Sequence, residues 1–133
     1  MAIRKQMSSS VRRAFEAEMQ QARGAEARGD HALCWRSLER AHVMSQPFAV
    51  AHVQVHLAMI AVAWRRRDQR EVLGQVPRVL LAGPASLLGR APRGNTGGSN
   101  VGILTPMRIP PDLEALLDPG GEAEEGREGH GQA

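Results

Sequence analysis

Apolar side chains recur every three or four positions through the first two-thirds of the chain, and this spacing predicts amphipathic helices. The first predicted helix covers residues 10–28, with Ser10 as its N-cap and Gly29 as its stop. A second follows over residues 31–45, with Asp30 as its cap. The apolar positions of these two helices are Val11, Phe15, Met19, Ala22, Cys34, Leu38 and Ala41.

The third predicted helix, from Pro47 to Arg67, is apolar on nearly every side. No Lys, Arg, Asp or Glu stands between Arg40 and Arg65, but the histidines, glutamines and serine in this stretch argue against a membrane span. A helix without a polar face must be covered on most sides. We therefore expect this helix to be central in the fold, or the protein to form a homodimer.

A fourth helix is predicted over residues 69–82. Asp68 and Glu71 stand three residues apart, which is the spacing of a capping box at a helix N-terminus. Pro77 lies inside the predicted helix and should kink or shorten it, because proline lacks the backbone N–H that a helix uses.

The composition of the chain changes at residue 83, where glycine and proline become frequent. This composition predicts a long loop. A short apolar run predicts one more helix over residues 113–117. The expected fold is all-α, with four helices in two antiparallel hairpins, a long ordered Gly/Pro-rich loop and a short C-terminal helix. We expect a single helical domain over residues 10–118, a flexible N-terminus at 1–9 and a disordered Gly/Glu-rich tail at 119–133.

Four side chains with metal-ligating chemistry flank the predicted turn at Pro47, with Glu39 and His42 before it and His52 and His56 after it. Residues three or four apart share one face of a helix, so each pair points in one direction. The two pairs lie at similar distances from the turn, and packed helices are about 8–10 Å apart. Three imidazoles and one carboxylate suit Zn²⁺, Ni²⁺, Co²⁺ or Cu²⁺, so the spacing predicts a metal site.

Two other interpretations of these residues stay open. The histidines could form a buried hydrogen-bonded network, with Glu39 paired to a nearby arginine, in a helical hairpin that serves as a protein-interaction module. A metal ion with one free coordination position could instead activate water in a hydrolase, although no further general base is evident.

The glycine-rich loop carries a second candidate site. Its glycines free backbone N–H groups that can form an anion-binding nest beside Arg90, Arg93, Asn95 and Thr96. The same residues could contact a partner protein, or form a structured loop that packs across the helices.

Composition narrows the classes of function. Only 3% of the 133 residues are aromatic and the arginines are scattered, so the net charge of +3 does not by itself favour a nucleic-acid partner. A single cysteine excludes a disulfide framework within the chain. The N-terminus has no apolar segment typical of an export signal, which predicts a cytoplasmic protein.

The segment from the Gly29-Asp30 turn to Pro47 resembles half of a tetratricopeptide repeat. The matching positions are Ala22, Gly29, Asp30, Cys34, Leu38, Ala41 and Pro47. No second copy follows about 34 residues later, so the resemblance implies one pair of packed antiparallel helices instead of a repeat array.

A longer similarity covers residues 11–117. The runs that carry it are Leu38-Glu39-Arg40-Ala41-His42, Ser45-Gln46-Pro47, His52-Val53-Gln54-Val55-His56, Arg67-Asp68, Glu71-Val72, Gly89-Arg90-Ala91-Pro92-Arg93-Gly94-Asn95-Thr96-Gly97 and Pro106-Met107. By these runs the chain resembles the bacterial domain of unknown function 3703 family. The resemblance implies a compact helical protein without an established activity, with relatives encoded near heavy-metal resistance genes. Together with the histidine spacing, it favours a non-enzymatic cytosolic accessory protein that holds a divalent transition metal.

Overall fold

Five α-helices make up most of the computed structural model, which describes residues 6–119. They are α1 (Ser9–Ala27), α2 (His31–Ser45), α3 (Ala49–Arg65), α4 (Gln69–Leu87) and α5 (Pro111–Leu117). Within these residues there is no strand, and no helix is long and apolar enough to cross a membrane. The predicted all-α class, with four main helices, a long loop and a short C-terminal helix, is confirmed.

The turns that precede α2 and α4 each have an aspartate whose side chain caps the helix that follows. Gly29 has a φ of 75°, a left-handed conformation that glycine adopts without strain and that ends α1. The Asp30 side chain accepts a hydrogen bond from the backbone N–H of Leu33 at 3.1 Å. The Asp68 side chain accepts one from the backbone N–H of Glu71, also at 3.1 Å.

Helix α1 begins one residue earlier than predicted, and its N-cap lies two residues earlier. Ser8, not Ser10, is the N-cap, since its hydroxyl accepts a hydrogen bond from the backbone N–H of Val11. The helix therefore reaches into the segment predicted to be flexible, of which residues 1–5 lie outside the described residues. The predicted disordered tail also lies outside them, apart from Pro119.

The predicted bounds of α3 are too wide at both ends. Pro47 lies in the turn before the helix, and the extended backbone of Phe48 (φ −120°, ψ 103°) separates it from Ala49, where the helix begins. The helix ends at Arg65, because Arg67 has a φ of 57° and a left-handed residue cannot continue a right-handed helix.

The fourth helix is longer than predicted and continues to Leu87 although Pro77 and Pro84 lie inside it. Each proline removes the N–H that would bond to the carbonyl four residues earlier, at Leu73 and Leu80. Both of these residues are exposed, so water can reach the carbonyls that lose a partner. The expectation that Pro77 shortens the helix was therefore wrong.

The helices pack as two hairpins, α1 with α2 and α3 with α4, which meet where α2 packs against α3. The short α5 packs against α1 and α2. Arg40 of α2 joins these elements, with an ion pair to Glu18 of α1 at 2.7 Å and a second to Asp112 of α5. The largest fully buried apolar side chains of the core are Leu38, Met44, Val55, Met59 and Leu113.

Candidate metal centre

Three buried histidine side chains meet where α2, α3 and α4 come together. His42 comes from α2, and His52 and His56 come from successive turns of α3. Their Nε2 atoms form a triangle with sides of 2.9 Å (His42 to His52), 3.0 Å (His42 to His56) and 3.2 Å (His52 to His56). The spacing of four residues in α3 and the short turn at Pro47 thus bring three of the four predicted ligands together.

Each of the three rings is also held from its other side, through Nδ1. Nδ1 of His42 lies 2.6 Å from the backbone carbonyl oxygen of Asn95. Nδ1 of His52 lies 2.7 Å from the hydroxyl of Ser86, and Nδ1 of His56 lies 2.6 Å from the side-chain oxygen of Gln75. Ligand histidines in metalloproteins almost always donate their second ring N–H to such a partner, which fixes the ring and its tautomer.

The surrounding hydrogen bonds fix the direction of all three contacts. The carbonyl of Asn95 can only accept. The hydroxyl of Ser86 donates to the carbonyl of Gln46, so it must accept from its histidine. The amide nitrogen of Gln75 donates to the Glu71 carboxylate at 2.8 Å and to the carbonyl of Gly97 at 2.7 Å, which leaves the amide oxygen to accept. Every Nδ1 therefore carries the proton, and every Nε2 presents a bare lone pair.

Three unprotonated nitrogens this close repel one another unless a cation lies among them. A shared proton is disfavoured, because burial lowers the pKa of all three imidazoles. The pKa of His52 falls to about 4, and that of His42 falls well below its ordinary value, with the neighbouring imidazoles adding to the effect of burial. For His56 the charge of Arg78 also lowers the pKa, against the hydrogen bond to Gln75. At neutral pH the cluster therefore offers three lone pairs and no proton.

The triangle has dimensions that a tetrahedral metal ion can use. Zn²⁺ binds imidazole nitrogen at about 2.0–2.1 Å, so an ion equidistant from nitrogens 3.0 Å apart lies about 1 Å outside their plane. Three protein ligands on one side leave a fourth position open. A cavity of about 40 Å³ borders all three rings and has room for a water molecule or another small ligand at that fourth position.

The loop between α4 and α5 closes over the ring of His42. Asn95 is buried, and its amide nitrogen donates to the carbonyls of Gly102 and Thr105, which holds its own carbonyl against His42. Gly97 has a φ of 85°, and a Cβ there would lie 2.6 Å from the His42 ring. The loop can therefore reach the histidine only because this residue has no side chain.

Glu71 anchors the same loop and does not complete the predicted capping box. Its carboxylate accepts hydrogen bonds from the backbone N–H of Ser99 at 2.9 Å, from the Ser99 hydroxyl and from the amide of Gln75. One carboxylate thus connects the loop to the residue that orients His56.

Glu39, the fourth predicted ligand, lies apart from the triangle. The group of ligand atoms within 4.8 Å of one another contains the three histidines and not this carboxylate. Glu39 is half-buried, and burial raises the pKa of its carboxyl against a hydrogen bond with Trp35. A separation of three residues rotates a side chain about 60° around a helix relative to His42, so Glu39 stands on the flank of the face that carries the histidine.

The loop residues of the second predicted site have different environments. Arg90 and Arg93 are exposed and Thr96 is partly exposed, whereas Asn95 is buried in the scaffold of the histidines. The proposal of an anion or partner contact at these residues stays a prediction.

Sequence reasoning missed Gln75 and Ser86, which hold two of the three rings. The one signal for them is their spacing of eleven residues, or three helical turns, which places two uncharged polar side chains on the same face of a mostly apolar helix.

Comparison with known proteins gives the chain a family. A family model described as "Protein of unknown function (DUF3703)" matches residues 9–117, which include all five helices and the three histidines. No curated protein and no solved structure matches the chain. Since the match spans most of the sequence, the chain belongs to the DUF3703 family.

Proposed function

We propose that the protein binds one divalent transition-metal ion through Nε2 of His42, His52 and His56. One observation supports this most strongly: all three Nδ1 atoms donate to fixed acceptors, so three lone pairs converge within 3.2 Å with no hydrogen between them. The position of each lone pair is set by a hydrogen bond, as in metal sites whose ligands are oriented before the ion binds. Glu39 is not part of the proposed ligand set.

The ligand chemistry favours Zn²⁺, Co²⁺, Ni²⁺ or a copper ion over Mg²⁺ and Ca²⁺, which prefer oxygen ligands. The proposed role is that of a cytosolic accessory protein that handles such an ion under metal stress, in line with what the sequence resemblance implies. Among the described residues that line the cavity, none is a carboxylate that could act as a general base, which supports a binding role over hydrolysis.

Metal content tests the proposal directly. The untagged chain is loaded with Zn²⁺, freed of excess metal and analysed for its elements. We expect about one ion per chain, and a near-complete loss of that ion in the His52→Ala/His56→Ala variant. His31→Ala is the matched control, because His31 is exposed at the start of α2 and lies outside the cluster.

Circular dichroism checks that each variant remains helical, and His42→Gln provides a second variant with less loss of volume. The proposal is wrong if the wild-type chain retains none of Zn²⁺, Co²⁺, Ni²⁺ and Cu²⁺, or if the folded histidine variants retain as much as the wild type.

A further inference from the structure

The cavity beside the three histidines also borders Arg78, a buried residue of α4. A single water occupies about 10–15 Å³, so a cavity of about 40 Å³ has room for at least two or three waters or for a small molecule of similar size. The apolar part of its wall comes from Leu81, Ala82, Ala85, Ile103 and Leu104. Leu81 and Leu104 are themselves exposed, so the cavity opens to solvent on this side.

The guanidinium of Arg78 has no carboxylate in direct contact among the described residues. It donates from Nη1 to the carbonyl of Gly74 and from Nη2 to the carbonyl of Val101, both at 2.6 Å. The negative charge that acts on Arg78 is that of Glu71, whose carboxylate oxygens already accept hydrogen bonds from Gln75 and Ser99. Arg78 thus brings to the cavity a positive charge that neutral carbonyl groups hold in place but do not neutralise.

We propose that the open coordination position of the bound ion takes a small monoanion, with Arg78 as its second point of attraction. This inference rests on the proposed metal site. Three neutral imidazoles leave the full charge of a divalent ion uncompensated, and among residues 6–119 the lining of the cavity adds one further charged side chain, that of Arg78. The cavity has room for an anion of about three heavy atoms, such as formate or a linear triatomic ion.

Visible absorption of the Co²⁺-loaded protein tests this, because the d–d bands of Co²⁺ report changes in its ligands. Titration with formate and with azide should change the spectrum in a saturable way. In Arg78→Gln the apparent dissociation constants should rise roughly tenfold, since a charge-assisted hydrogen bond is lost, while one Co²⁺ per chain is retained. Arg78→Lys should recover part of the affinity, and Arg70→Gln, an exposed position on the same helix, should behave as the wild type.

The outcomes separate this inference from the proposed function. If Co²⁺ binds but neither anion changes the spectrum, or if Arg78→Gln binds both anions as the wild type does, the anion site is wrong and the metal site stands. If the chain binds none of Co²⁺, Zn²⁺, Ni²⁺ and Cu²⁺, both are wrong.

An independent observation concerns the outer face of α3 and α4, which is apolar and exposed. Residues seven apart, and therefore in line along a helix, are exposed by 49–73% of their surface. On α3 they are Val50, Leu57 and Trp64, and on α4 they are Leu73, Leu80 and Leu87.

The two rows lie side by side. Val53 of α3 lies against Gly83 of α4, 3.7 Å from where a Cβ would be, and Trp64 and Leu73 line one surface groove. In an antiparallel pair this register places Leu57 beside Leu80, and Val50 beside Leu87. The face thus consists of three successive apolar pairs.

We infer that this face binds the same face of a second copy of the chain. The six side chains together expose on the order of 700 Å², close to the roughly 800 Å² that each partner buries in a standard interface. From Leu73 to Leu87 every exposed residue is leucine, valine or proline, so the α4 half of the face has no exposed charge that would repel its own copy. The charged residues Arg67 and Asp68 border the face at the end beside Trp64. An isologous dimer uses one self-complementary patch of this kind twice.

Sedimentation equilibrium at several protein concentrations tests the dimer. The wild-type chain should show twice the 14.4 kDa mass of the monomer. Leu57→Glu/Leu80→Glu should sediment as a helical monomer, whereas Leu104→Glu, an equally exposed loop leucine, should remain a dimer. The inference is overturned if the wild-type chain is a monomer at every concentration, even if that monomer binds lipid vesicles through this face. It is also overturned if the double substitution leaves the dimer intact.

Discussion

Gln75 is a fully buried polar side chain whose two ends serve different purposes. Its oxygen accepts from Nδ1 of His56, and its nitrogen is held by Glu71 and by the carbonyl of Gly97. A side chain bound at both ends cannot rotate, so it fixes which nitrogen of His56 carries the proton. The residue thereby acts on the proposed metal site without contacting the ion.

Replacing Gln75 with leucine should weaken metal binding about 10–100-fold, the range typical for the loss of a partner that orients a ligand. The reason is that His56 Nδ1 loses its acceptor and the ring can then turn or change tautomer. Competition with a chromophoric chelator measures the affinity. Gln69→Leu, at the exposed start of the same helix, is the control. Equal affinities for a folded Gln75→Leu variant and the wild type would show that the orientation of His56 does not depend on Gln75.

At this scale the sequence predicted the three histidines but not the residues that hold them. The histidines are local, since α2 and α3 are joined by a short turn and the spacing of their residues determines which side chains face one another. Gln75, Ser86 and Asn95 reach the same point only after α4 and the long loop have packed. The spacing of Gln75 and Ser86 places them on one face of α4, but it does not indicate that this face meets the histidines.

The long loop is the element that closes the site, and Gly97 lies directly against the His42 ring of α2. The loop has little regular structure between residues 88 and 110, yet buried side chains and hydrogen bonds to α2 and α4 hold it in place. Its glycines are therefore not equivalent: some only make turns, and one makes room for a histidine.

Gly97→Ala and Gly89→Ala separate these two roles. Both residues have positive φ, so the left-handed backbone alone should cost either alanine variant about 1–2 kcal/mol in a denaturant titration. At position 97 the clash with the His42 ring adds to this cost. A Cβ at position 89 meets nothing within 4 Å, whereas at position 97 it meets the His42 ring. We therefore expect only Gly97→Ala to lose metal affinity as well. Similar affinities for the two variants would mean that the loop does not position His42.

Sequence patterns predicted the elements themselves well where local chemistry decides, as at Gly29 and Asp30. They failed at α4, where Pro77 and Pro84 are tolerated because the carbonyls they leave unpaired lie at exposed residues. Which side of a helix faces solvent is a property of the packed fold. The proline positions alone therefore could not predict that α4 continues through both prolines.

For the whole molecule, a metal-free core that contains three neutral imidazoles makes folding sensitive to acid. Unfolded histidine has a pKa near 6.5, while burial lowers the pKa of His52 to about 4 in the folded chain and lowers those of His42 and His56 as well. As the pH falls below about 6.5, the unfolded chain takes up protons that the folded chain does not, so the folded state loses stability until its own pKa values are reached.

Urea denaturation in the presence of a chelator should therefore show stability falling between about pH 6.5 and 4.5. The slope reaches at most about 1.4 kcal/mol per pH unit for each histidine that remains neutral. His52→Gln/His56→Gln should have a clearly shallower slope, because fewer groups change their protonation on unfolding. A wild-type stability that is flat over this range, or a slope that the double variant reproduces, would contradict neutral burial of the cluster.

The most direct measurement of the proposed metal centre is X-ray absorption at the zinc edge of the Zn²⁺-loaded chain. We expect a shell of nitrogen and oxygen atoms at about 2.0–2.1 Å, with the outer-shell scattering of three imidazoles and one further light atom. A sulfur atom at about 2.3 Å would indicate a cysteine ligand, and an octahedral shell of oxygen atoms would indicate an ion held elsewhere on the chain. Either result would contradict a centre built from His42, His52 and His56.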